Sequence, residues 1–567
     1  MAAISLGLFT ACSDEAVMLD NPNSETGQEE FYITLKVTTP NEATTRGSFT
    51  TPDGNASNST DDADDRLAGT AEETKLTQAS IYFCVGDEAL VALESEYVEP
   101  MKGTSNNETT IRAKIQDLSS LVQLKGNDVD IFVVGNTTAA GISPTLATTT
   151  AGKSVSGATF GLAGAGSYPL GDYGTEGHVM PLVNAKKYTI SNFKGITATR
   201  EEDIIEEIKG FFSEHTATNA WWNLTQPLEL ERAVARLEYD DRRSEYTNNT
   251  KHQYQVGDLD LNVKLYSLQP FNVNKSSYLF RQVVEGDYTK ATATTAELLG
   301  KENGGNNKYN WVKDPSWSGS NGSYTKGTNF WNALDITEDE YLIKNGDNIS
   351  TDNLITIAQL ETRTKPTGDD YYPWCYVSEN TLPSIEMMED TETIEGEEDE
   401  DDTVNPLVAL NATGVAFNFL VMNANNNQPL EYSADGTNYP SEVTNAPAEE
   451  ADDEEEVEGA ANDVPGDIII TDNDGKWVRV SPTAVTENGA TKYYYFLTYI
   501  GCIVHNDGNK HDNNFAPMYY GVVRNNTYQM SVSSISGLPR PKDPSSMYLK
   551  LEINVLAWAR HEISVVF

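Results

Sequence analysis

The sequence predicts a mainly β protein built as two large β-sandwich domains with long loops and a few short helices. One reason is composition: 28 Tyr, 41 Gly and 23 Pro, with abundant Thr and Asn, suit pleated surfaces and turns better than helix interiors. A second is size, since 567 residues, at about 100–200 per domain, leave room for two or three domains with separate cores. A third is the recurrence of short alternating apolar segments between Asn/Gly/Thr-rich stretches, with no internal repeat of fixed period.

From Asp14 to Glu30 the chain is polar and pattern-free, and Phe31–Val37 then alternates, with Phe31, Ile33, Leu35 and Val37 on one face of a half-buried strand. Thr44-Thr45-Arg46-Gly47 and a Ser/Asn/Asp/Gly stretch to about Asp65 follow, and read as an exposed, cuttable connection. Ala79–Val85 and Val129–Val134 are strands dense in β-branched and aromatic residues, the second bounded by Gly135-Asn136. Thr199-Arg200-Glu201-Glu202 reads as a capping box opening a helix whose stripe, Ile204, Ile205, Ile208, Phe211 and Phe212, should pack on a sheet. Leu228–Tyr239 fits a helix or a strand, and a domain boundary is expected near it. Strands are expected beyond it at Leu259–Leu265, Val415–Val421, Asp467–Thr471 and Tyr493–Ile500. Arg524-Asn525-Asn526 should form a tight turn before a strand at Thr527–Val532, with Arg524 in an ion pair. The chain ends on two consecutive alternating strands. Leu549, Leu551, Ile553 and Val555 share one face of Tyr548–Val555; after Leu556–Arg560, Ile563, Val565 and Phe567 share one face of His561–Phe567.

Charge narrows the function. With 39 Lys+Arg against 86 Asp+Glu, the formal net charge of −47 repels phosphate backbones and anionic lipid, so no nucleic-acid partner is expected. Long carboxylate runs at Glu386–Asp402 and Glu449–Glu458 read as solvated loops, lacking the Asp/Asn spacing and central Gly that wrap oxygen ligands around Ca²⁺. Four cysteines, Cys12, Cys84, Cys375 and Cys502, are too few and dispersed for a disulfide framework or a zinc site. His505 and His511, near Asp507 and Asp512, sit in an Asn/Gly-rich loop without the spacing of a helix-borne metal pair. No nucleophile elbow, phosphate loop or dinucleotide fingerprint appears, so neither an enzyme, a metal nor a cofactor is expected; a glycan-active lipoprotein with paired carboxylates stays open. Leu6–Ala11 closing on Cys12 resembles a bacterial lipoprotein signal, although it is short and has no Lys or Arg before the cysteine. No later stretch approaches the ~18 apolar residues of a membrane span.

Taken in order, Cys12, Phe31–Gly47, Val133-Val134-Gly135-Asn136, Glu231-Arg232-Ala233-Val234-Ala235-Arg236, Val523-Arg524-Asn525-Asn526-Thr527-Tyr528 and Val555-Leu556-Ala557-Trp558 through Phe567 resemble the Bacteroidales fimbrillins. Within these type V pilins the pattern is most similar to the shaft subunit of minor (Mfa-type) fimbriae, although that family commonly has Pro where Ala557 stands. The resemblance implies two transthyretin-like β-sandwich domains, and export as an outer-membrane lipoprotein whose Cys12 carries lipid, including palmitate. It implies cleavage by an arginine-specific surface protease between Arg46 and Gly47. The strand carrying Phe31, Ile33, Leu35 and Val37 then leaves, and a hydrophobic groove receives the C-terminal strands of another copy, with Leu549, Leu551, Ile553, Val555, Trp558, Ile563, Val565 and Phe567 as donor residues. A head-to-tail exchange does not close on itself and so yields a filament. The segments expected on this basis are a signal at 1–12, a propeptide at 13–46, domains at 47–227 and 228–546, and donor strands at 547–567. The implied partners are other copies of the chain, accessory anchor and tip subunits, the protease, and host or bacterial surface receptors, in a surface fimbrium that supports adhesion and biofilm formation. On the residues alone, Arg46 reads as an ordinary loop arginine and the C-terminal strands as completing the chain's own sheet; the resemblance reverses both. The alternative is a surface lipoprotein that never polymerises, as an anchor, tip adhesin or glycan-binding protein.

Overall fold

The computed structural model describes residues 29–39, 66–67, 71–100, 108–137, 143–150, 152–161, 179–212, 214–215, 219–241, 251–285, 296–299, 310–313, 315, 330–336, 341–344, 354–363, 371–381, 411–424, 426–432, 466–475, 477–487, 489–503, 521–539 and 549–558. The fold is mainly β, as the sequence predicts. The first half contains β1 (Glu30–Thr38), β2 (Arg66–Leu67), the short helix α1 (Ala71–Thr74), β3 (Ala79–Val85), β4 (Glu88–Pro100), β5 (Glu108–Ile115) and β6 (Val129–Gly135). It continues through β7 (Ser143–Thr148), β8 (Lys153–Gly161), β9 (Leu182–Asn184), β10 (Thr189–Ile190), helix α2 (Glu201–Lys209), β11 (Glu214–His215) and β12 (Asn219–Arg232). β13 (Ala235–Tyr239) opens the second half.

All of these strands but β2 and β13 join the later strand Ser276–Tyr278 in one twelve-stranded system. β1, β5, β11 and the first part of β12 form one layer, and β3 with β6 to β10 the other. Two long strands belong to both layers. β4 pairs with β3 up to Glu94 and with β5 from Ser95, and β12 pairs with β1 up to Glu229 and with β9 from Leu230. Strands that change sheet in this way turn the corners of a sandwich and let one apolar core fill the space between layers. That core holds Ile33, Leu35, Val37, Ile81, Phe83, Ile111, Phe132, Val134, Phe160, Leu224 and Leu228, all buried. Gly86, at φ +62°, makes the tight β3–β4 turn, a conformation glycine adopts without penalty.

β6 is followed by Asn136, a left-handed residue at φ 63°. Its buried side chain accepts from the Thr77 amide at 2.8 Å and donates to the carbonyls of Lys75 and Met180 at 2.7 Å each, tying three segments together. Helix α2 forms where its apolar stripe predicts, with Ile204 and Ile208 buried and Phe212 in the core. The capping box does not form: the residue before the helix is Arg200, whose side chain makes no cap bond and instead grips Asp203 at 2.8 Å.

In the second half, the strand Asn262–Phe271 lies between Gln253–Gln255 and Gly414–Val421, Ala490–Cys502 and Pro482–Glu487 extend the sheet, and Ile355–Thr356, paired with Asn262–Phe271, is its sixth strand. The strand expected at Leu259–Leu265 starts only at Asn262, because Leu259 closes a turn by donating its amide to the Val256 carbonyl at 3.0 Å. A five-stranded sheet faces it, ordered Arg66–Leu67, Leu549–Trp558, Asn526–Ile535, β13, Tyr372–Val377. Leu237, Leu265, Trp374, Phe417, Phe419, Tyr495, Tyr528 and Met530 fill the space between. Leu228–Tyr239 is strand, broken at Ala233-Val234, and the two cores change over between Val234 and Ala235. One excursion returns: Ser276–Tyr278 pairs with β8, and Leu279, Phe280, Leu298 and Leu299 enter the first core.

Replacing Asn136 by Ala removes the partner of the buried Met180 carbonyl and of the part-buried Thr77 amide and Lys75 carbonyl, and Ala tolerates positive φ poorly. Asn136→Ala should therefore cost at least about 2 kcal/mol, read as a lower denaturation midpoint with an unchanged m-value.

Candidate strand-exchange site

β1 is bonded along both edges. It runs parallel to β12, from Glu30 opposite Asn219 to Thr38 opposite Glu229, and antiparallel to β5, from Phe31 opposite Ile115 to Thr38 opposite Glu108. Its inner side chains explain the fit. Ile33, Leu35 and Val37 are at most 1% exposed, and half-buried Phe31 meets Phe212 edge to face with centroids 5.1 Å apart. Phe193, Phe211 and Trp222 extend this aromatic group.

The outer face differs from the half-buried strand the alternation predicts, since Tyr32 and Thr34 are only 6% and 9% exposed. Tyr32 stacks on Trp221 at 4.7 Å, and its hydroxyl donates to Glu30 at 2.8 Å. Lys114 of β5 pairs with Glu30 at 2.5 Å, and these two hydrogen bonds hold the Glu30 carboxyl below its ordinary pKa. At about 1.5–3 kcal/mol per fully buried side chain, Ile33, Leu35 and Val37 stabilise the seated strand by about 4.5–9 kcal/mol, with half-buried Phe31 adding less. Removing β1 would leave β5 and β12 as unpaired edges flanking an apolar slot.

Of the other predicted residues, Cys12, Arg46 and Gly47 lie outside the described residues, as do Tyr548, Ile563, Val565 and Phe567, His505 and His511, and both acidic runs. The C-terminal strand, Leu549–Trp558, lies in its own chain's sheet, antiparallel to Asn526–Ile535, with Leu549, Leu551, Ile553 and Val555 opposite Ile535, Val532, Met530 and Tyr528. It continues through Leu556 and Trp558, where the sequence suggests a break. Its other edge, among the described residues, meets β2, Arg66 opposite Ala557 and Leu67 opposite Trp558. The two strands implied for exchange thus sit in different sheets and are not brought together within one chain.

The sequence reading missed a buried charge cluster at the junction of the two cores. Glu73 of α1 accepts two hydrogen bonds from Arg236, at 3.0 and 2.8 Å, and one from the Tyr376 hydroxyl at 2.5 Å. Arg236 also lies 2.8 Å from Glu238, which accepts from Gln529 at 3.0 Å. Arg232 donates to the Glu73 carbonyl at 3.1 Å, and Arg281 pairs with Glu231 nearby. Burial works against the Arg236 charge, but Glu238 and Glu73 outweigh it and leave its pKa raised; for Arg232 burial wins and the pKa falls to about 9. The expected Arg524 ion pair forms with Glu379 at 2.6 Å, beside a turn with Asn525 at φ 59°. Charged residues in a strand whose apolar residues fall on both faces are the signal for such a cluster. Through Glu73, the segment that follows Arg46 is tied into both halves.

Cys84, Cys375 and Cys502 are free and buried, and burial raises all three thiols, Cys502 to about 12. Among the described residues no helix is long and apolar enough to cross a membrane.

Residues 486–563 match the family model described as "Major fimbrial subunit protein type IV, Fimbrillin, C-terminal". The match takes in the strands Ala490–Cys502, Asn526–Ile535 and Leu549–Trp558, so the resemblance to fimbrillins is shown over this C-terminal region. It does not single out the Mfa-type subgroup. No curated protein matches the chain. A fimbrilin, FimA, from Porphyromonas gingivalis is 12% identical, with 95% of this chain and 100% of that one covered at a TM-score of 0.37. A candidate cell-adhesion protein from Parabacteroides distasonis is 11% identical, covering 94% and 99% at 0.37, and the C-terminally truncated tip fimbrial protein Mfa3 from P. gingivalis is 11% identical, covering 93% and 100% at 0.28. Overlaps this loose do not equate the folds.

Glu73→Gln keeps the shape but removes a buried counter-charge from Arg236. Breaking a buried pair from one side costs about 3–5 kcal/mol, so the variant should unfold at clearly lower denaturant; a loss under about 1 kcal/mol would mean that the cluster contributes little.

Proposed function

We propose that this chain is the polymerising shaft subunit of a cell-surface fimbrium and has no enzymatic role. It is exported as a lipoprotein on Cys12, cut after Arg46, and assembled with other copies by donor-strand exchange. The observation that carries this reading is the seat of β1: the first described strand, with buried anchors, bonded along both edges, followed within the sequence by Arg46. The fimbrillin match over residues 486–563 supports it from the other end of the chain. In this reading the cut frees lipid and strand together, and residues 547–567 of a second copy enter the slot, with Leu549, Leu551, Ile553 and Val555 in the places of the four β1 anchors. Backbone bonds to both edges supply the ladder and the apolar seats fix the register. Anchor and tip subunits, the arginine-specific protease and surface receptors complete the assembly, whose role is adhesion and biofilm formation. A non-polymerising anchor or tip adhesin is favoured by one observation, the pairing of the C-terminal strand within its own sheet.

The two readings part at the mature N-terminus. Protein taken from the cell surface should begin at Gly47, and Arg46→Ala should leave uncut monomers; a surface chain still beginning at lipidated Cys12 would establish the anchor reading instead.

Displacement itself is tested by a lock. Lys36 and Thr110 stand opposite each other across β1 and β5, so Lys36→Cys with Thr110→Cys should hold the cut strand in its seat. Cleaved protein should stay monomeric until a reductant is added and then form SDS-resistant ladders; ladders before reduction would show that β1 need not leave.

A further inference from the structure

We infer that the incoming strand is set in register by an ion pair between its Glu552 and Arg112 of the receiving copy, an inference that rests on the donor-strand reading above. Arg112 sits at the middle of the slot, directly opposite Thr34 across the β1–β5 ladder. Its guanidinium lies over the Trp221 ring at 5.1 Å, and among the described residues no carboxylate lies within ion-pair distance of it. Lys114, two residues along, is held by Glu30, and that carboxylate would leave with β1. Opening the slot therefore exposes two cations on one edge with no carboxylate of β1 beside them.

The C-terminal strand, LKLEINVLAW, carries one acidic residue, Glu552, and one basic residue, Lys550. Glu552 is the midpoint of Leu549–Val555 as Thr34 is the midpoint of Phe31–Val37. When the four donor anchors occupy the four β1 seats, Glu552 consequently falls at the place of Thr34, opposite Arg112, whichever way the strand runs. A shift by two residues toward the C-terminal end of β1, in the direction β1 runs, keeps four seats filled by bringing in Met547. It places Lys550 against Arg112 and Glu552 against Thr110. Apolar burial does not separate these registers, but charge does: like charges directly opposite across a sheet are unfavourable and opposite charges favourable. Thr34 is 9% exposed, and a carboxylate brought to so covered a place needs a cation beside it.

The test uses full-length protein cleaved in the presence of excess fluorescent peptide of residues 547–558, either unchanged or with Glu552→Lys. Unchanged peptide should be retained by the cleaved protein, and Glu552→Lys peptide about tenfold less tightly. Arg112→Glu protein should reverse that preference, and Arg112→Gln should abolish most of it, which keeps the test open if Arg112→Glu does not fold. Equal retention of both peptides by the unaltered protein would overturn the ion pair while leaving strand exchange standing. Retention of neither would overturn strand exchange and the ion pair with it.

Discussion

A strand hydrogen-bonded along both edges, with three inner side chains almost fully buried, cannot leave its sheet without leaving two open edges and an apolar slot, and this is the constraint on which the first sandwich rests. β1 supplies Ile33, Leu35 and Val37 to a core shared by both layers, and it bridges β5 to β12. β12 is also the strand that turns the corner to the second layer and leads on to β13. Any occupant of the slot must therefore reproduce both ladders and the inner row together.

The junction between the halves works by different physics. Apolar packing is tolerant of small displacements, whereas a buried carboxylate surrounded by Arg236, Arg232 and Tyr376 tolerates very few, because each charge depends on its partner for compensation. The excursion through Ser276–Tyr278 adds a strand pair across the same junction, and Arg524 reaches the Leu279 carbonyl at 2.9 Å from the far sheet. Strand exchange in the first sandwich would thus occur on a body whose connection to the second is fixed by specific contacts. Glu73 places the end of the connection that follows Arg46 on the same fixed point.

What was legible in the sequence was set by local pattern. Ala79–Val85 is a strand with the bounds its residues suggest, and the stripe of α2 lies where its spacing puts it. The outer face of β1 was not legible, because Tyr32 and Thr34 are compatible with water and are covered by partners such as Trp221, far along the chain. The charge cluster was hidden for the same reason, since Glu73 and Arg236 are 163 residues apart. Thr199 failed as a cap although its spacing to Glu202 is right, because Arg200 takes the cap position. The alternation of Leu549–Val555 identified a strand but not which sheet it serves, since the same apolar row fits opposite Tyr528, Met530 and Val532 in its own chain.

That ambiguity bears on how exchange could be controlled. An uncut β1 is covalently joined to the chain that forms its slot, and a covalent link holds a strand at an effective concentration of up to about millimolar. A strand from another copy, present at about micromolar concentration, faces a handicap of roughly a thousandfold, or about 4 kcal/mol, even if both strands fit equally well. Cutting the connection removes the tether without altering a single contact in the slot: β1 becomes a separate fragment that dilutes away once it leaves. The C-terminal strand stays tethered to its own sheet, and among the described residues it is bonded along its full length on one side and to two residues of β2 on the other. A seat between β5 and β12 offers it two full ladders in place of one. In the proposed exchange, then, the second ladder favours entry and the tether gates it, while the donor strand gives up its place beside Asn526–Ile535 in the second sandwich.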